Sequence, residues 1–193
     1  LVFIFTKLWM FGLPAFWYLK VEGGERSSSL PTNGGWMVST YLGIGMAFVI
    51  CIAYFLLGDL VLRAEDLVEI LEPFGLTVPW KLAVGILFWI FINSVLEEYV
   101  FRWFITSKLE EVVGGTWLPI FLSAGIFTLH HTIALAFFID PHGNALASLG
   151  VFIGGVIFSW IYVQYRSVWV VWVAHAIADV AIFAIAWHLI VGF

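Results

Sequence analysis

Six apolar runs, each close to the length that crosses a bilayer, decide what this chain can fold into: residues 1–19, 36–57, 82–106, 119–138, 145–165 and 168–191. A spanning α-helix needs roughly 20 predominantly apolar residues. Lipid offers no water to satisfy open backbone groups, so an open-ended segment at that depth has to be helical. The expected fold is therefore all-α, a polytopic transmembrane helix bundle of about six spanning helices. With 63% of the 193 residues hydrophobic and 11% charged, the polar residues are too few to coat a soluble core. The 11 Trp and 19 Phe suit a bundle interior and the headgroup level.

Turn and charge signals separate the runs. Residues 22–35 are polar and Gly/Ser-rich, 110–115 run from acidic to Gly-Gly, and Asp140-Pro141-His142-Gly143-Asn144 reads as a tight turn. Between Gly58 and Gly75, Leu60, Ala64, Leu67 and Leu71 recur at helical spacing among Arg63, Glu65, Asp66 and Glu69. That pattern predicts an amphipathic helix lying in the membrane interface. The chain opens on Leu1, which leaves room for a missing natural N-terminus; residues 1–19 lack a basic leader and a small-residue cleavage site and are read as a span. The whole of 1–193 is expected to form one transmembrane domain in an integral, multi-pass protein, placed in the cell membrane of a prokaryote or the endoplasmic reticulum of a eukaryote.

Charge gives a weak orientation. The first, third and fifth connections carry Lys20, Arg26, Lys108 and Arg166, against Arg63 and Lys81 on the others, so the odd connections are placed on the cytoplasmic side and both termini opposite. A net charge of -5 with 8 Lys and Arg leaves no basic patch for nucleic acid. The single cysteine, Cys51, excludes disulfides and a cysteine zinc site, and is expected to pack. Gly150 and Gly154 form a small-residue step that would admit a neighbouring helix. Lys7 is expected to snorkel from the first span, while His142 lies in a turn and His188 near the far interface.

Ionisable groups at membrane depth are costly and therefore the default functional candidates. They fall in three clusters. Glu97, Glu98 and Arg102 lie near the end of the third span, where Glu98 and Arg102 share a helical face and can pair, and Glu97 is turned about 100° away. The bland reading is that the helix has already left the bilayer and these are interface charges. Phe127, His130 and His131 sit in the fourth span, with Phe127 and His131 on one face; a packing histidine is the competing reading. His175 and Asp179, four apart in the sixth span, let a carboxyl orient an imidazole.

Depth joins the clusters. By helix rise, Glu97 lies roughly 17 Å below Lys108, His131 roughly 18 Å beyond Pro119 and His175 roughly 11 Å beyond Val168. Alternation of spans brings all three to one leaflet, which independent packing residues had no reason to do.

The order Glu97-Glu98-x-x-x-Arg102, Phe127-x-x-x-His131 and His175-x-x-x-Asp179 resembles the three motifs of the CAAX-protease and bacteriocin-processing family of intramembrane endopeptidases, which includes the Ras-converting CAAX endopeptidase. The resemblance implies a catalytic helix bundle over 80–193, with 1–79 as variable N-terminal spans and interfacial helix. It further implies Glu97 as base, His131 as its partner in activating a water, and His175 with residue 179 stabilising the oxyanion, supported by Glu98, Arg102 and Phe127. CAAX-cleaving members resemble His-x-x-x-Asn at the last motif, whereas this chain has Asp179. That carboxyl either donates when protonated or orients His175.

The expected activity is hydrolysis of a membrane-associated, optionally prenylated, protein or peptide without a cofactor. The close alternative is a zinc protease using Glu97, His131 and His175 as ligands. The other classes are a proton-coupled transporter, for which internal duplication with broken helices is expected and not found, and a non-catalytic immunity or scaffold protein, which would tolerate Glu97→Gln.

Overall fold

The computed structural model describes residues 2–25, 27–61 and 63–192, the side chains of 2–4 and 59–61 excepted. Helix α1 covers Val2–Phe16 and runs on as a π-helix over Trp17–Val21; α2 is Trp36–Val61 and α3 Ala64–Leu71. Helix α4 is continuous over Pro79–Val113, followed by α5 (Trp117–Leu135), α6 (Pro141–Tyr165) and α7 (Val168–Val191). Among the described residues, α2 and α4 to α7 are long and apolar enough to cross a membrane. The protein is a polytopic helical membrane protein. The first expected span is helical too, with Leu1 and the side chains of 2–4 outside the described residues.

Two boundaries move for local reasons. Residues 140–144, expected as a tight turn, are instead the start of α6: the Asp140 carboxylate accepts from the amides of His142 (2.8 Å) and Gly143 (3.2 Å), and Pro141 occupies the first helical position. Proline loses nothing there because its missing N–H would have had no partner. The same two amides hold the Asp140 carboxyl below its usual range. Helix α4 outruns its predicted 82–106 at both ends, since Pro79 opens it in the same way and the polar residues after Thr106 stay helical until Gly114, at φ 67°. The amphipathic segment appears as α3 and a 3₁₀ turn over Glu72–Phe74, stopped by Gly75 at φ 68°. Leu60 belongs to α2, and its side chain lies outside the described residues.

Ion pairs between Lys108 and Glu22 (2.7 Å) and between Arg166 and Glu110 (2.6 Å) place the first, third and fifth connections at one end of the bundle, as their charge suggested. Arg26 lies outside the described residues. At that end the Ser28–Ser29 backbone docks on the start of α7: Ser167 and Trp169 donate to the carbonyls of Ser29 and Ser28, and the Val168 amide donates to the Ser29 hydroxyl, each at 2.8 Å.

Small residues set the closest helix approaches. A Cβ on Gly155 of α6 would stand 3.2 Å from Ala124 Cα on α5, and one on Gly43 of α2 would stand 3.0 Å from Ala174 Cα on α7. Gly150, expected at such a contact, faces open space, and Gly154 meets only the tip of Met46 and its own neighbour Phe158. Cys51 faces outward rather than packing inside. The buried core lies among α4 to α7, around Phe101, Phe127, Phe158, Ile161, Val171 and Ala174.

Candidate active site

Two π-helical stretches of α4, Trp89–Asn93 and Tyr99–Thr106, bracket the α-helical turn Ser94–Glu98 that carries both carboxylates. A π-turn displaces the regular backbone pairing and leaves carbonyls open to other donors. Side chains fill the openings. The Ile90 carbonyl accepts from the Trp172 indole of α7 at 3.0 Å, and the Phe101 carbonyl accepts from Thr106 (2.8 Å) and from Ser123 of α5 (3.0 Å). Helix α4 is thereby fastened to α7 on one side of the carboxylates and to α5 on the other.

Glu98 is fully buried between α4 and α7. Its Oε1 lies 2.6 Å from His175 Nδ1, and its Oε2 lies 3.3 Å from Nε of Arg102, one turn further along. The buried Arg102 guanidinium lies 4.2 Å from the Phe127 ring centre and 5.1 Å from that of Phe158, so aromatic faces cover it. An unpaired charge at this depth would cost several kcal/mol, which makes the three groups one unit. Glu98 does more than pair within its own helix, because it fixes the imidazole of α7.

Glu97, 4% exposed, faces α1 and α5 instead. Its Oε1 accepts from Asn93 Nδ2 at 2.7 Å and lies 3.6 Å from Lys7 Nζ, which in turn donates to Asn93 Oδ1 at 2.8 Å. Its Oε2 lies 3.9 Å from His131 Nε2. His131 donates through Nδ1 to the Phe127 carbonyl at 3.0 Å, so a neutral ring turns the lone pair of Nε2 toward Glu97. His175 Nε2 stands 3.6 Å from Asp179 Oδ1, near enough for charge to matter and too far for a hydrogen bond. The Phe127 ring contacts both halves, with ring centres 4.2 Å from His131 and 6.1 Å from His175.

The seven residues to which the resemblance gave roles are thus joined by a chain of contacts across α4, α5 and α7. His130 points away, toward the Phe101 ring. Lys7 does not snorkel; its ammonium is turned inward to Asn93 and Glu97. Sequence reasoning missed Asn93 and this role of Lys7. Asn93 carried a usable signal, being four residues before Glu97 and on its face, and a cation inside an apolar run is itself a functional candidate. Among the described residues no group of three His, Cys, Asp or Glu side chains converges as a metal set, and one nitrogen of His175 is taken by Glu98.

Carboxylates and imidazoles from separate apolar helices are buried together here, which marks the cluster as a functional site. The type II CAAX prenyl endopeptidase Rce1-like family matches residues 79–181, from the first turn of α4 to the middle of α7, and the chain belongs to that family. It is in general terms a CAAX-type intramembrane endopeptidase, a protease acting on protein substrates at the bilayer. No curated protein and no solved structure matches the chain.

Proposed function

We propose that the chain hydrolyses a peptide bond near the C-terminus of a membrane-anchored, prenylated protein or peptide, using a water activated by Glu97 and His131. The observation that carries this is the approach of Glu97 Oε2 and His131 Nε2 to 3.9 Å from two different helices. That gap is too long for a direct hydrogen bond and suits one water touching both acceptors. The water oxygen attacks the scissile carbonyl carbon while its proton passes to Glu97. The C–N bond then breaks, and the same proton goes to the departing amine.

Charge grows on the carbonyl oxygen during attack, and His175 is the donor for it. Glu98 holds Nδ1, which aims Nε2–H away from α4, and the 3.6 Å gap to Asp179 leaves that hydrogen available. Asp179 orients and charges the ring through space. A donor fixed before the reaction in a site closed to water is worth about 3 kcal/mol of barrier. We further propose that no metal takes part, because among the described residues no three His, Cys, Asp or Glu side chains converge as a ligand set: His131 Nε2 faces Glu97 Oε2 at 3.9 Å, whereas His175 turns Nδ1 to Glu98.

The test is cleavage of an internally quenched peptide ending in Cys-aliphatic-aliphatic-X, farnesylated on the cysteine, by protein in liposomes. The wild-type chain is expected to cleave it with and without a strong chelator, and Glu97→Gln to lower kcat by about 10³ or more. Glu97→Gln turning over within tenfold of wild type overturns the assignment. Activity lost with a chelator and restored by zinc overturns the metal-free version.

A further inference from the structure

Helix α1 lies outside the segment that matches the family, yet it reaches the centre of the site. Lys7 and Asn93 are 86 positions apart in the chain. Two further contacts, Tyr18 edge-on to Trp103 at 4.5 Å and Glu22 with Lys108 at 2.7 Å, keep that offset to within one position. α1 therefore runs parallel to α4 in a single register along its length. That register is what brings an ammonium alongside the middle of α4, where it lies 3.6 Å from Glu97 Oε1 and 5.3 Å from the Phe11 ring centre.

We propose that Lys7 is a positioning residue for Glu97, so that docking of α1 along α4 completes the site. The inference rests on the reading of Glu97 as the base. A carboxylate closed off from water needs compensation for its lost hydration, and an ammonium 3.6 Å away supplies it. Geometry matters as much. Lys7 donates to Asn93 Oδ1, which turns the Asn93 amide nitrogen to Glu97 Oε1; with Oε1 held from that side, Oε2 is the oxygen left to face His131. His131 faces Oε2, whereas Lys7 meets Glu97 on the Oε1 side, at 3.6 Å. Its removal should slow the reaction without loosening substrate.

Kinetics in liposomes on the same farnesylated peptide, together with unfolding midpoints, test this. Lys7→Met keeps the length and the apolar stem and removes the charge. We expect kcat to fall about 10- to 100-fold with KM within about twofold, and Lys7→Arg to bring kcat back to within about threefold of wild type. A Lys7→Met enzyme with kcat within twofold of wild type overturns the proposal, as does Lys7→Arg no faster than Lys7→Met.

The second measurement needs no turnover. Unfolding midpoints of Lys7→Met, Glu97→Gln and the double variant are expected to be non-additive, because each single change strands the other group. Additive midpoints mean the two side chains do not meet, and the proposal fails whatever the kinetics. Coupled midpoints in a protein that cleaves no farnesylated peptide would instead overturn the reading of Glu97 as base toward a prenylated substrate and leave the Lys7–Glu97 contact standing.

Discussion

Helices α2 and α4 are both long and apolar enough to cross a bilayer, and they serve opposite purposes. Helix α2 shows most of its surface outward and meets α7 by shape, through Ser39 and Gly43. Ser39 donates to the Val170 carbonyl and accepts from the Ala174 amide, which seats the helix without any charge. Helix α4 carries Asn93, Glu97, Glu98, Arg102 and Thr106 on buried positions, each with a polar or charged partner. Hydropathy alone cannot separate a helix that shields a site from one that builds it. The separation lies in where polar groups are buried and in what they meet, so changes in α4 should act through charge and changes in α2 through volume.

Arg102→Met should give the largest effect. It removes the guanidinium and leaves the Glu98 carboxylate buried with His175 as its remaining partner. Breaking such a buried set costs about 3–5 kcal/mol, a large part of the stability of an ordinary domain. The expected outcome is a marked loss of folded protein in detergent, read as the unfolding midpoint or the folded fraction in size-exclusion chromatography. A variant that folds as well as wild type would show that the aromatic faces of Phe127 and Phe158, and not the charge, hold this part of α4 together.

Much of this contrast was legible in the sequence. The spacing of Glu98 and Arg102, of Phe127 and His131, and of His175 and Asp179 follows from the helical period, and the count of residues from the span ends placed the clusters at one depth. What the period cannot show is which groups from different helices meet. Glu98 was legible as a partner of Arg102 and not as the partner of His175, which is 77 positions away. Lys7 was misread because an isolated lysine in an apolar run offers two outcomes, escape to the interface or capture by a buried acceptor, and only the packing of α1 on α4 chooses between them. The π-helical stretches were equally hidden, since they answer to donors on α5 and α7. At 140–144 the sequence carried the right residues, and the error lay in taking Asp-Pro as a turn when the same pair opens a helix.

Shape rather than charge governs the next effect, which concerns α2. Gly43 and Gly45 are two residues apart on one helix; a Cβ at Gly43 would press on Ala174 Cα at 3.0 Å, and one at Gly45 would meet nothing within 4 Å. Gly43→Ala should therefore lower the unfolding midpoint, since overpacking a backbone contact costs about 1–3 kcal/mol. Gly45→Ala should leave it unchanged or raise it, as alanine is the better helix former by up to about 1 kcal/mol. Equal midpoints for the two variants would mean that α2 does not seat on α7 in this register.

The smallest effect separates the two modes of attachment by pH. Glu22 lies outside the spans, and its carboxyl sits below the ordinary glutamate value because Lys108 of α4 donates to it, with Trp17 as a second donor. A group whose folded-state pKa is depressed adds stability that is complete above its unfolded value, about 4.3 for glutamate, and is lost as pH falls through the folded value. The pair is exposed, so the contribution is small and weakens with salt. The unfolding midpoint of wild type should exceed that of Glu22→Gln slightly at pH 7 and low salt, and the two should merge as the medium is acidified below the glutamate range. The difference between Gly43→Ala and wild type should change little over the same interval, because no ionisable group takes part in the Gly43 contact. If the Gly43 difference fell away with acid in step with that of Glu22, α2 would depend on the same charges as α4, and the division between a helix placed by shape and a helix placed by charge would not hold.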